Sequence, residues 1–429
     1  MSLFFKRDWL LVALLNLVVL ALMGLLLRWL FVAPVEEMNY KFLLHGHSHV
    51  ALLGWLYTAF FVALLYTFFP VEVRRKKVYA WQFWLAQGAV LGMLLTFPVQ
   101  GYAAASITFT TAHMLLTYWF IYQFLKDAKA LQLQAGRHTL SFRFVKAALF
   151  FMGLSTLGPW SLGPIMATGH SGSELYLNAI YFYLHFQYNG WFTFAVLGLL
   201  FWLLEQYKLG FNARLGPRFF RLMFWSCIPA FLLSVLWATP PAFVYALGGT
   251  AALVQLFAFG LLLQCLWPVR RQLLGLFGRW SRWLLLLAAL AFSLKTLMQA
   301  ATAVPYMADL AYRLRIFVIG YLHLVLIGFI SLFLLAFFAQ QGWLSFKSRM
   351  SQWGISLFLA GFICSEAVLF LQGVFFWLGF GVIPAYNQLL FGISTLLPLG
   401  ILLFFVSQLR GEGATTEHLK QVPLQQQKA

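Results

Sequence analysis

The chain is a succession of long apolar stretches separated by short polar ones, and that pattern restricts its fold more than any other feature. Apolar stretches lie near 8–32, 40–69, 78–99, 102–126, 143–166, 174–204, 219–238, 241–266, 281–303, 314–340, 353–378 and 386–408. About 20 apolar residues in a helix cross the hydrocarbon core of a bilayer. The runs are continuous, not ten-residue alternations, so they read as helices and not as barrel strands. The expected fold class is an all-α integral membrane protein with twelve transmembrane helices. Composition agrees: 9% of the residues are charged, against about 25% in a soluble domain. The first stretch is too long for a signal-peptide core and lacks a cleavage site, so it reads as span 1.

Lysine and arginine orient the spans, because they gather on the cytoplasmic side. With the N-terminus inside, the outer segments hold only Arg28, Lys41, Arg313 and Arg315, and Lys295 falls within a span; subtracting these five from 29 leaves 24 on the inner side. The alternation holds at every loop, so both termini are expected in the cytoplasm of a bacterial-type inner membrane. The polar tail 411–429 reads as disordered. The net charge of +18 is spread in short runs between spans, which points to a lipid bilayer as partner and not to nucleic acid. Three cysteines, Cys227, Cys265 and Cys364, give neither a disulfide framework nor a zinc pattern, and no Cys-x-x-Cys-His occurs for covalent heme.

A repeat runs through the spans. Span 2 carries His49, then four residues, Gly54 and Trp55; span 6 carries His185, then Gly190 and Trp191; span 10 carries His323, then Gly328 and Phe329. The spacings of 136 and 138 residues (185 minus 49, 323 minus 185) each cover four spans. The chain 1–410 therefore reads as one domain of three four-helix units, about 8–142, 143–280 and 281–410. Each histidine lies about ten residues from the outer end of its span, a common depth at about 1.5 Å per residue. Span 4 adds a looser copy at His113, and span 2 adds His45 and His47. His45 and His49 share a helix face, and His47 points elsewhere. Polar side chains in hydrocarbon suggest function, and imidazole is a frequent metal and heme-iron ligand. The structural alternative is interhelical hydrogen bonding among packing glycines.

Twelve spans, three units and buried histidines on spans 2, 6 and 10 resemble the catalytic subunit of the heme-copper oxidase superfamily over nearly the whole chain. The run His47-x-His49-x4-Gly54-Trp55 is similar in texture to C-type oxidases and nitric oxide reductase large subunits, where it falls on helix 10. The resemblance implies a heme b held between a span 2 histidine, His49 first among the cluster, and His323. It implies copper or another metal at His185, with His113 and His45 as further candidates for a displaced second centre. Departures accompany it: span 7 has no adjacent histidine pair, and Tyr321 stands two residues before His323. Two copper ligands and a high-spin heme ligand are thus missing, which argues against ordinary oxygen reduction.

The expectation is a membrane heme protein, a possible oxidoreductase, for electron transfer or for nitric oxide or oxygen chemistry, with quinol, cytochrome c or other respiratory subunits as partners. A non-catalytic accessory or assembly protein and a proton- or metal-coupled transporter are the alternatives. Arg313 and Arg315, at the outer start of span 10, are candidates for heme carboxylates, with interfacial anchoring as the plain alternative. Glu366 and Lys295, the ionisable residues within spans, read as bonded to neighbours such as Ser365 and Thr296. His170 reads as a loop histidine, and His138 and His418 need no role.

Overall fold

A computed structural model describes residues 6–133 and 138–410. Arg137, His418 and the tail 411–429, with its expected disorder, lie outside them. The described residues are helical, with no strand among them. The long helices are α1 (Arg7–Trp29), α2 (Tyr40–Phe68), α3 (Lys77–Gln100), α4 (Ala104–Ala130), α5 (Thr139–Ala167), α6 (Glu174–Gln206), α7 (Leu215–Ala238), α8 (Ala242–Leu266), α9 (Arg279–Ala301), α10 (Arg315–Gln340), α11 (Arg349–Trp377) and α12 (Tyr386–Leu409). All but α4 are long and apolar enough to cross a membrane. Helix α4 is 27 residues long but more polar: it carries Thr108, Thr110, His113, Gln123 and Asp127. Thr108 and Thr110 return their hydroxyls to carbonyls one turn back in the same helix.

Burial separates the helices into inner and outer sets. The most apolar windows of α2, α6 and α10 are 83%, 83% and 72% buried and that of α5 is 67%, while α1, α3, α7, α8, α9, α11 and α12 range from 33% to 44%. The three most buried of these helices, the inner helices, are the ones that carry the repeated histidine. A helix that is apolar all round must be covered all round, and here the cover is protein. The outer helices instead expose large side chains, Leu95, Leu253, Trp225 and Trp353 among them, each more than 60% accessible. Exposed apolar area on that scale marks a surface that meets lipid.

Neighbours pack in chain order, α2 on α3, α3 on α4, α5 on α6, α7 on α8, α9 on α10 and α11 on α12, while α12 returns to α1. The Arg7 guanidinium donates to the carbonyls of Gln408 and Leu409, so the start of α1 meets the end of α12. It also caps orphan carbonyls at a helix C-terminus, where a cation is favoured. At the start of α3, Lys76 pairs with Asp127 at the end of α4, and Tyr79 and Gln123 donate to the same carboxylate.

Candidate functional site

The repeated histidines share a local feature that the sequence pattern only hints at. In each inner helix the α-helix gives way to a π-helical turn at the next residue: Val50–Leu56 after His49, Phe186–Phe192 after His185 and Leu324–Ser331 after His323. A π-turn bonds residue i to residue i+5, and the histidine-to-glycine spacing is five. Hydroxyls support two of the three turns over that same interval. Thr193 donates to the Tyr188 carbonyl at 2.6 Å, and Ser331 donates to Leu326 at 2.7 Å. Trp55 then donates its indole N–H to the Ser331 hydroxyl at 2.8 Å, with both residues buried. This bond ties α2 to α10.

The glycine and aromatic positions of the repeat are packing positions. A Cβ on Gly190 would lie 2.6 Å from the Phe151 Cβ of α5, and one on Gly328 would lie 2.8 Å from Phe362 of α11. At Gly54 the nearest atom, in Val90 of α3, would be 3.1 Å away. Trp55, Trp191 and Phe329 are at most 4% exposed within the main core. Each glycine therefore lets a neighbouring helix close against the inner one.

The imidazoles differ from one another. The Nε2 of His185 lies 2.9 Å from the Cys227 carbonyl, and its Nδ1 lies 3.1 Å from the Asn189 amide nitrogen. A carbonyl only accepts, so Nε2 carries the proton and Nδ1 accepts from Asn189. Both ring nitrogens are used, and His185 reads as a satisfied core histidine. Beside it lies a cavity of about 200 Å³, lined also by Tyr188, Tyr321, Trp237 and Gln299.

The three histidines of α2 divide between two sides. His47 packs against α1, where a Cβ on Gly24 would come within 3.1 Å of its Cε1, and its imidazole is within electrostatic reach of His323. The Nδ1 of His323 is 3.2 Å from the Glu366 carboxylate of α11. Arg28, in the last turn of α1, lies within electrostatic reach of Glu366, His47, Tyr40 and Tyr386. His323 of α10 and Glu366 of α11 are thus in contact, with His47 of α2 within electrostatic reach of His323 and Arg28 of α1 within reach of Glu366. His49 turns the other way. It stacks on Phe97 at 4.2 Å, and its Nδ1 donates to the His45 carbonyl at 2.8 Å, which leaves Nε2 with a free lone pair. Its electrostatic neighbour is His113 of α4. His113 is 0% exposed, neither ring nitrogen has a hydrogen-bond partner, and the Tyr57 ring meets its edge at 4.7 Å. His45 packs on Tyr102 at 4.6 Å.

The α2 histidine within electrostatic reach of His323 is His47, where the sequence reading puts His49 first. The arginines also rearrange. Arg313 is exposed and paired with Asp309 at 2.8 Å, Arg315 has Tyr181 as its electrostatic neighbour, and the guanidinium beside Glu366 is Arg28. The expected bonding of Glu366 and Lys295 to adjacent hydroxyls is corrected. Ser365 donates to Phe362 and Thr296 to Phe292, each within its own helix, and Glu366 meets His323 of α10 instead of Ser365. Lys295 is 3% exposed and sits near Cys227 and His185. In the loop before α6, His170 contacts Thr168, and His138 lies 3.5 Å from Glu205. Among the described residues no three His, Cys, Asp or Glu side chains are grouped as a metal cage.

No protein-family model matches the chain, and no curated protein matches it.

Proposed function

We propose that this protein is a twelve-span membrane heme protein of oxidase-subunit-like design, with α4 as its twelfth span, three four-helix units and both termini in the cytoplasm. The lysine and arginine alternation supports the orientation. The burial of the second helix of each unit, each with a π-turn after its histidine, supports the three-unit reading.

The observation that carries the function is the His323–Glu366 pair, with His47 of α2 within electrostatic reach of His323. A metal-bound imidazole usually gives its second nitrogen to a carboxylate or carbonyl, which fixes the ring and raises its basicity. His323 offers this arrangement: Nδ1 faces Glu366 and Nε2 is left for iron. The residues fit a heme in other respects too. His323 is 31% accessible at its side chain, so its ring is not enclosed by protein, and the Nδ1 of His47 is buried without a hydrogen-bond partner, a nitrogen left over for a ligand. A heme b held by two imidazoles would supply reversible one-electron chemistry. His47 and His323 are the residues that would hold it. Arg28 would offer a cation to a heme carboxylate, a role for which guanidinium is well suited. Electron transfer with a quinol or a small carrier protein follows as the activity, and diatomic gas chemistry would use a different centre.

One observation favours a second centre. His113 is fully buried with both nitrogens unpartnered, and an unsatisfied buried polar group costs about 1–3 kcal/mol. A metal, copper or another transition ion, bound by His113 and the free Nε2 of His49 would remove that cost.

The test is purification in detergent after expression with ample heme, followed by a pyridine hemochrome spectrum and a metal count. About one b-type heme per chain is expected. A protein without heme would overturn the proposal and leave the accessory or transporter reading.

A further inference from the structure

The surface between α7 and α8 carries a groove of about 720 Å³, lined by Arg218, Arg221, Trp225, Pro229, Leu247 and Phe257 among others. Its two ends differ. Arg218 and Arg221 are exposed at the start of α7, and among the described residues neither has an ion-pair partner. Arg214 lies one turn earlier on the same side of the helix. No carboxylate occurs between Glu205 and Asp309, so nothing nearby in the chain offsets this charge. The rest of the groove is apolar in effect. Trp225 is 68%, Leu247 51% and Phe257 63% exposed, and the hydroxyls that reach it are used within their own helices, Ser226 by Met223 and Thr250 by Ala246.

The length fits one leaflet. Arg218 and Pro229 are eleven residues apart, about 16 Å at 1.5 Å per residue, and half of a hydrocarbon core of about 30 Å is about 15 Å. A ligand that matches both ends has an anionic head and one or two acyl chains. Arginine binds phosphate oxygens through two parallel N–H bonds. A headgroup that also carries an ammonium would bring a like charge to the same arginines. We propose that this groove is a binding site for an anionic phospholipid, with its phosphodiester on Arg218 and Arg221 and an acyl chain along Trp225, Leu247 and Phe257. No histidine lines the groove, although Ser226 in its wall adjoins Cys227, whose carbonyl accepts from His185, and the proposal stands whether or not heme is bound.

The test is native mass spectrometry of the full-length protein in detergent, titrated with phosphatidylglycerol or phosphatidylcholine of the same chains. A basic residue near an anionic lipid contributes about fivefold in affinity, hence about 25-fold for the pair. The wild type is expected to retain phosphatidylglycerol about 25-fold better, less at high salt. Arg218→Gln with Arg221→Gln should reduce the preference to about twofold at most. Leu247→Trp, which fills the apolar end, should lower retention of both lipids. Lys126→Gln with Lys129→Gln, in the last turns of α4, should leave the preference intact. Equal retention of the two lipids by the wild type would overturn the proposal, as would a preference that survives in the Arg218/Arg221 variant. The hemochrome spectrum of the same preparations reports separately on the heme reading.

Discussion

Replacing Glu366 separates a structural carboxylate from one that supports a heme ligand. In Glu366→Gln the amide oxygen can still accept from the His323 Nδ1–H, but the charge assistance is gone. Hydrogen bonds to charged groups contribute about 1.5–3 kcal/mol and neutral ones about 0.5–1.5, so the loss is about 1–1.5 kcal/mol. The pair is partly open, with side-chain accessibilities of 31% for His323 and 10% for Glu366, which favours the lower figure. That corresponds to somewhat less than tenfold in heme affinity. Glu366→Leu removes the acceptor altogether and leaves His323 without an orienting partner. Loss of such a partner costs about 10- to 100-fold in metal affinity, and this variant belongs toward the upper limit. The assay is heme occupancy at limiting hemin, read from the Soret band of apoprotein reconstituted in detergent. The order wild type, Gln, Leu is expected, with the midpoint potential rising in both variants because a negative charge beside ferric iron is lost. Equal occupancy and unchanged potential in Glu366→Leu would refute the reasoning.

Further predictions follow from the packing. Ser331→Ala leaves the buried Trp55 indole N–H without a partner and should cost about 1–3 kcal/mol. Adding Trp55→Phe should be less than additive, which thermal unfolding in detergent can read. Gly190→Ala should destabilise more than Gly54→Ala. The first places a Cβ 2.6 Å from a Cβ that cannot swing away, and the second meets a methyl at 3.1 Å; overpacking of the first kind costs about 1–3 kcal/mol. His113→Phe should fold normally, keep the b-type spectrum and lose a non-heme metal equivalent. An unchanged metal count would show that His113 ligates nothing.

Much of the helix layout was legible because a bilayer reads length and apolarity directly. The long helices begin and end within four residues of the apolar stretches, and the loops between them are short. The histidine repeat was legible for a similar reason, since spacing survives whatever the packing. What the sequence hides is rotation of a helix about its own axis. His47 and His49 are two residues apart and face opposite neighbours. Which of them meets His323 depends on contacts such as Gly24 on His47 and Gly46 against Met23 and Pro98, and no local pattern encodes those contacts. Arg28 reads in sequence as a cation ending a span, and only the packing of α1 between α2 and α12 brings it within electrostatic reach of Glu366. The π-turns were half visible. A five-residue interval between histidine and glycine is the π-repeat, but the hydroxyls of Thr193 and Ser331 that support two of the turns lie beyond the repeated motif.

The central claim is that one iron is bound between α2 and α10 through His47 and His323. It is tested most directly by low-temperature electron paramagnetic resonance of the oxidised protein, comparing wild type with His47→Ala, His49→Ala and His323→Ala. The account predicts a low-spin bis-imidazole heme signal in the wild type and in His49→Ala, and its loss in both His47→Ala and His323→Ala. A signal that survives in His47→Ala and disappears in His49→Ala would contradict it.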